Sequence, residues 1–324
     1  MQYTRLGRTG LKISTYIMGG DNFGGQTDEA ESLRMMATAA DAGVNVIDTA
    51  NSYTDSKSEE IVGKFLRGRR DDIVLASKFR SATGPGMFDI GGSRKAIMKA
   101  VEESLRRLQT DYIGLYQMHS FDPETPLEET LRALDDLVHQ GKVRYIGCSN
   151  FSGSQITESL WISDKNNLAR MDSTQPRYNL LYRHPELELL PAAEQFGVGV
   201  IVYRPMAGGF LTGKHSRDGG EAGGRYDKNF RAFNFYARTY WHESQFEAVE
   251  RFVRLSDKHG LTPSQLGTGW VLSNPAVSAC IVGARTPEQL EANLAGWDVE
   301  ISEQALKEAE EIGDWARDNG PRIV

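Results

Sequence analysis

The chain alternates short runs of β-branched and aromatic residues with longer stretches in which apolar residues return every three or four positions. After an N-terminal hairpin over Tyr3 to Ser14, the short runs predict strands at 16–20, 44–50, 73–79, 112–119, 143–149, 172–176, 199–205 and 278–283. Between them, the helical spacing predicts helices over Glu29 to Ala42, Glu59 to Leu66, Arg94 to Leu108, Leu127 to His139, Gly153 to Asp164, Glu186 to Phe196, Ser264 to Leu272 and Glu288 to Leu294. Each strand thus acquires a crossover helix. Eight such units with no break in composition predict one (β/α)8 TIM barrel over residues 1–324, whose loops after the strands gather at one face. A doubly wound sheet is the alternative, weakened because no G-x-G-x-x-G follows the first strand.

Two segments exceed the repeat. Residues 207–242, after the seventh strand, are too rich in glycine and aromatics for one regular element, and their rings favour an ordered flap over a linker. Arg225, Phe230, Phe233, Phe235, Tyr236 and Trp241 are its candidates for shaping a pocket. The helical pattern at 301–319 follows the eighth unit, so it is expected outside the barrel or over its mouth.

A formal charge of −7 argues against a surface for duplex nucleic acid, which needs a Lys/Arg excess. No apolar run is long enough to cross a bilayer and the N-terminus has no apolar leader, so the expected location is cytoplasmic, with no membrane partner. Cys148 and Cys280, far apart and in strand contexts, read as buried thiols of a reducing compartment.

Charge at the strand tips changes the picture. The second strand ends in Asp48, with Tyr53 just beyond; the third carries Lys78; the fourth ends in His119. Taken singly these are a helix cap, a rim aromatic, a snorkelling lysine and a core histidine. Together they converge from three neighbouring strands, where a buried lysine and aspartate must pair. A cation beside a phenol is expected to lower its pKa by about one to three pH units, giving a proton donor next to an imidazole. Such equipment polarises a carbonyl oxygen. With no G-x-S-x-G and no Ser or Cys with an evident base, the carbonyl needs an external donor such as a hydride carrier. The six histidines show no metal-binding spacing, so no metal is expected.

These residues resemble the aldo-keto reductase superfamily, in its microbial and channel-β-subunit branches, across essentially the whole chain. "DTANSY", "ASKF" and "YQMH" match the family's catalytic Asp48, Tyr53, Lys78 and His119, and "YTRLGRTGLKIS" is similar to its N-terminal hairpin. The resemblance implies a cofactor groove bordered by Gly20 and Asp48. In it "GCSNF" and "QPRYN" supply Ser149, Asn150 and Gln175 to a nicotinamide carboxamide. "YRPMAGGFLTGK" would place Tyr203 on the nicotinamide ring and Arg204, Met206, Gly208, Gly209 and Lys214 along the pyrophosphate. "VGARTPEQLEANL" would place Gly283, Arg285, Gln289 and Asn293 at the adenosine, with Arg285 and Thr286 a seat for a ribose 2′-phosphate. NADPH is the expected cofactor and NADH the other candidate.

The sequence departs from the family at three places. Ala292 stands where a glutamate often meets adenine; "MGGDNF" brings Asp21 and Phe23 to the substrate pocket, which favours hydroxylated substrates; and Thr54 replaces a common glycine, which alters the loop past Tyr53. The implied activity is reduction of an aldehyde or ketone, a sugar or other hydroxylated carbonyl among the candidates. Tyr53 is the proton donor, and His119 orients the substrate. The alternative is a cofactor-binding auxiliary subunit of low turnover, whose mark would be a docking region ahead of the hairpin.

Overall fold

The computed structural model describes residues 1–220, 224–229 and 233–320. Strands β1 (Tyr3–Arg5) and β2 (Lys12–Ser14) form an antiparallel hairpin in register Tyr3 to Ser14. Eight parallel strands then close a barrel: β3 (Tyr16–Gly19), β4 (Val46–Asp48), β5 (Val74–Phe79), β6 (Ile113–Met118), β7 (Val143–Ser149), β8 (Met171–Gln175), β9 (Gly199–Tyr203) and β10 (Val277–Val282), with β10 returning to β3. All eight expected strands are present, and β4 is the most shortened, ending on Asp48.

The crossovers are α1 (Glu29–Asp41), α2 (Lys57–Leu66), α3 (Arg94–Leu108), α4 (Leu127–His139), α5 (Gly153–Asn166) and α6 (Leu189–Phe196). Polar side chains start several of them where the pattern predicts. Asp28 accepts from the Glu31 amide, and Ser152 with Gln155 closes a reciprocal cap on α5.

The connection from β9 to β10 is richer than expected. It holds a 3-10 turn (Ala207–Thr212), α7 (Phe233–Tyr240), α8 (Glu243–Lys258) and α9 (Pro263–Ser273). No helix was anticipated at α8. Yet Phe246, Val249, Phe252 and Leu255 recur at helical spacing and are buried. In the described part of the flap Phe210 lies among the rings of Tyr226, Tyr240, Trp241 and Phe246 at centroid separations of 5.0–6.2 Å. Trp241 therefore belongs to this cluster. Phe230 lies outside the described residues. After α10 (Pro287–Ala295), the last helix α11 (Glu303–Asn319) packs on α8 and α9, outside the barrel.

The barrel lumen is divided along its axis. At the closed end Leu6 and Ile13 of the hairpin meet Ile17, Val46, Ala76, Leu115, Ile201 and Ala279 in a small apolar cluster. At the opposite end the lumen is polar, with Asp48, Lys78, Gln117, Ser149, Ser173 and Gln175 all buried. The strands are buried on both faces, so they read as nearly continuous apolar runs until their last residues. No helix among the described residues is long and apolar enough to cross a membrane.

Gly7 seats the hairpin. Its φ of +54° is left-handed, and a methyl there would lie 2.5 Å from the Gly197 carbonyl. Gly7→Ala is expected to destabilise the fold by about 2 kcal/mol, seen as a lower urea midpoint at unchanged slope. An unchanged midpoint would mean that the plug carries none of the barrel's stability.

Candidate active site

The polar end of the lumen is built around one ammonium. Lys78, on β5, is fully buried, and its Nζ donates to the Asp48 carboxylate, to the Thr49 carbonyl at 3.0 Å and to the Tyr53 hydroxyl at 3.1 Å. Three donors meet three acceptors, so the ammonium has a single orientation. Burial alone would depress the lysine pKa; Asp48 and Tyr53 more than offset this and the value is raised. The other Asp48 oxygen accepts from Gln175 Nε2 at 2.9 Å and Gln117 Nε2 at 3.4 Å.

Tyr53 is held by an unusual piece of backbone. Thr54, Asp55 and Ser56 have φ of +48°, +54° and +70°, a left-handed region that non-glycine residues rarely enter. The Thr54 hydroxyl donates to the Phe23 carbonyl at 2.6 Å and the Ser56 hydroxyl to the Asn51 carbonyl at 2.7 Å, pinning the turn from both sides. Thr54 thus takes the conformation that suits glycine, and its hydroxyl ties this loop to the one after β3.

His119, the residue after β6, sets its ring edge-on to Tyr53 at 5.6 Å, and its Nδ1 lies 3.3 Å from Ser81 Oγ. Burial, with the charges of Lys78 and Arg80, depresses its pKa to about 3, so the imidazole is neutral through the physiological range. The phenol departs from expectation. Burial pushes Tyr53 up to about 12, because it outweighs the pull of Lys78, and Asp48 and Asp21 add to the rise. Tyr53 is consequently a protonated phenol near neutrality, where the sequence suggested a lowered value.

A hollow of about 770 Å³ opens above these groups and runs toward α9 and α10. Asp48, Tyr53 and His119 lie at its floor, over the buried Lys78. Ser149, Asn150, Gln175 and Tyr203 line it from β7 to β9 and are already bonded to one another. The Ser149 hydroxyl donates to the Gln175 carbonyl at 2.8 Å and the Tyr203 hydroxyl to Asn150 Oδ1 at 2.7 Å. Asn150 Nδ2 donates to the His119 carbonyl at 2.9 Å. Since Gln175 Nε2 is committed to Asp48, its amide oxygen is the atom left for a ligand.

Farther along, Arg204, Met206, Gly208, Gly209 and Lys214 line the hollow, then Gly283, Arg285, Gln289 and Asn293. Gly208 and Gly209 have φ of +69° and +96°, and a methyl on Gly209 would come 3.9 Å from Lys214 Nζ. Turned backbone beside a lysine, with room that a Cβ would fill, fits a diphosphate. Thr286 caps α10 by accepting from the Gln289 amide, and Gln289 Oε1 in turn accepts from the Arg285 amide at 3.0 Å. Gly20 and Asp21 line the hollow from the loop after β3. Asp21 is paired there with Arg225 of the flap, so its carboxylate is already engaged.

Phe23 requires correction. It was expected in the substrate pocket, but it is fully buried in the core outside the barrel. Its ring lies under Gly20, where a methyl would meet it at 3.1 Å. Of the flap residues, Arg225 and Phe235 line the hollow, whereas Tyr236 is buried and packs against Gly208. Gln117 and Ser81 were missed. Gln117 was legible, because two residues before His119 on a strand is the same inward face; Gly147 beside it is the small residue that leaves it room, with 3.3 Å from a would-be Cβ to Gln117 Cγ. Among the described residues no cluster of three or more His, Cys, Asp or Glu could hold a metal.

A closed parallel barrel with an Asp-Lys-Tyr-His floor at its strand tips is a (β/α)8 barrel of a recognisable kind, and sequence comparison says which. The profile of the aldo/keto reductase family matches residues 16–314, and the chain belongs to that family, a family of oxidoreductases. It is 38% identical to the "Uncharacterized oxidoreductase YrpG" of Bacillus subtilis, over 96% of each chain. It is also similar to "Aldo-keto reductase YhdN" of the same organism at 35% identity, over 94% of this chain and 92% of that one. A "Probable voltage-gated potassium channel subunit beta" of Arabidopsis thaliana is 36% identical over 92% of each.

Asp48→Asn removes the counter-charge of a buried ammonium and is expected to destabilise the fold by about 3–5 kcal/mol. The double variant Asp48→Asn/Lys78→Met, which buries no charge there, should recover most of that loss in chemical denaturation. Equal losses in single and double variants would show that the pair is not the source.

Proposed function

We propose that the protein reduces an aldehyde or ketone to the alcohol with NADPH, and with NADH as the weaker donor. The observation that carries this reading is the Lys78 ammonium, which holds the Asp48 carboxylate and the Tyr53 hydroxyl at once beside a neutral His119. A dihydronicotinamide bound in the groove supplies the hydride. The chain supplies the rest.

Tyr53 donates its proton to the carbonyl oxygen as negative charge gathers there. The phenolate it leaves is met by Lys78 at 3.1 Å, and Asp48 keeps that ammonium in place. A Ser81 hydroxyl donating to His119 Nδ1 leaves the imidazole proton on Nε2, where it orients the carbonyl oxygen as a neutral donor. Ser149, Asn150 and the Gln175 oxygen hold the carboxamide, and Tyr203 gives the ring a face to lie on. Gly208, Gly209, Arg204, Met206 and Lys214 take the pyrophosphate; Gly283, Gln289 and Asn293 take the adenosine. Arg285 before the α10 N-terminus supports a 2′-phosphate, hence NADPH. A reducing compartment, the cytoplasm, suits the two free buried thiols.

Tyr53→Phe is expected to lower kcat by on the order of 10²–10⁴ while NADPH binding, read by fluorescence, persists. Equal turnover in both proteins would overturn the assignment. A wild-type protein that binds NADPH and turns over no carbonyl would favour the auxiliary-subunit reading.

The pH dependence follows from the shifted groups. His119, depressed to about 3, stays neutral as pH falls through the ordinary imidazole range, so kcat for reduction should show no inflection near 6.5. Tyr53, raised to about 12, remains a donor through neutrality; reduction should fade and alcohol oxidation grow only as pH climbs toward that value. A reduction profile with its inflection near 6.5 would contradict this.

A further inference from the structure

We propose that Glu59 is a positioning residue for the reaction: through Ser77 it clamps α2 to β5 and so fixes how closely the Tyr53 hydroxyl approaches the Lys78 ammonium. This rests on the carbonyl-reducing reading above and adds to it a residue outside the hollow. Glu59 is fully buried, and its carboxylate is divided between two elements. One oxygen accepts from the Ser77 hydroxyl of β5 at 2.5 Å, and the other from Arg107 Nε of α3 at 2.7 Å. A well-packed apolar pair commonly serves stability as well as a buried ion pair, so the directed bonds of this one point to geometry.

The geometry concerns the loop from Asp48 to α2, which carries Tyr53. Its start is fixed to β5: the Thr49 amide donates to the Ala76 carbonyl at 2.9 Å, and the Thr49 carbonyl accepts from Lys78 Nζ at 3.0 Å. Its middle is the left-handed run of Thr54, Asp55 and Ser56. Backbone in that region keeps its shape only where the surrounding structure holds it. The far flank is Ser58 and Glu59, both fully buried. The Ser58 hydroxyl lies 2.7 Å from Thr49 Oγ1 and donates to the Gly20 carbonyl at 2.8 Å, which ties α2 to the tips of β3 and β4. Among the described residues, the bond from Ser77 to Glu59 is the hydrogen bond that joins α2 to β5, the strand of Lys78.

Arg107 keeps the clamp from turning. At Gly63 the two helices α2 and α3 are pressed together, and a methyl there would lie 2.6 Å from the Arg107 carbonyl. Guanidinium and carboxylate therefore meet from fixed backbones. Ser77 and Lys78 are successive residues of one strand and face opposite sides of it. Two neighbours on β5 thus hold both flanks of the loop, Lys78 from inside the barrel and Ser77 from outside. With the clamp released, the strained turn relaxes and the Tyr53 hydroxyl withdraws from its 3.1 Å contact with Lys78 Nζ. Proton donation slows, while cofactor and substrate still bind.

The test uses the full chain, NADPH and 4-nitrobenzaldehyde. Ser77→Ala removes one hydroxyl and leaves the Glu59–Arg107 pair whole. Its kcat per NADPH-binding site should fall about tenfold to a hundredfold, as expected for a misplaced reacting group, with KM and NADPH affinity within about twofold. Ser77→Thr, which keeps the hydroxyl, should restore most of the rate. In a Tyr53→Phe background Ser77→Ala should change kcat by less than about twofold, because the clamp acts through Tyr53; a merely structural serine would cost the same in both backgrounds. Glu59→Met/Arg107→Met, which buries no charge, should reproduce the loss, whereas Glu59→Gln/Arg107→Met keeps an acceptor for Ser77 and should retain most of the activity.

Tyrosine labelled with 13C at Cζ gives a readout free of turnover. The resonance missing from Tyr53→Phe identifies residue 53, and Ser77→Ala should shift it. An unmoved resonance, an unchanged kcat in Ser77→Ala, an equal loss in the two backgrounds or equal activity in the two double variants overturns the proposal. Wild-type turnover in Tyr53→Phe overturns the reductase mechanism instead, and the carbon resonance then decides the clamp by itself.

Discussion

A lysine ammonium sealed inside a barrel is untenable alone, and most of the active end of this molecule follows from what is needed to keep it there. Asp48 must sit at the end of β4 to neutralise Lys78. Gln117 and Gln175 must turn inward to satisfy the carboxylate oxygen that the lysine leaves. The third ammonium proton then points at Tyr53 because no other direction remains. The phenol is thus oriented by the solution to a solvation problem, and the left-handed turn at 54–56 brings it to meet that proton.

The division of the lumen explains how so polar a centre fits a folded core. Leu6, Ile13, Ile17, Val46, Leu115 and Ile201 fill the end closed by the hairpin, and polar groups begin only above them. Strand register carries the division. Ala76 lies beside Asp48 and Lys78 beside Gln117, so successive inward positions climb from apolar to polar as the strands rise. Apolar packing is concentrated below and buried polar groups above.

Much of this was legible in the sequence. The barrel was read from strand and helix periodicity, and the Asp48, Tyr53, Lys78 and His119 constellation from ionisable residues at the ends of apolar runs. What escaped depended on depth and on partners remote in the chain. Phe23 follows a strand tip, where spacing no longer says which way a side chain turns, and it turned into the core. The sign of the Tyr53 shift was misjudged because the cation beside it was visible and the extent of burial was not. Asp21 was read as a pocket residue without its partner, because Arg225 stands 204 residues away. Helix α8 was overlooked since it begins just past a glycine-rich, aromatic stretch that obscures its start.

The hairpin at the closed end has a consequence for the other. With that end filled by Leu6 and Ile13, the hollow lies at the polar end of the barrel. Arg225 of the flap meets Asp21 at its wall. Filling one mouth of the barrel thus leaves the other free to be shaped by loops alone, and the Arg225–Asp21 pair is where two of them, distant in the chain, are stitched together.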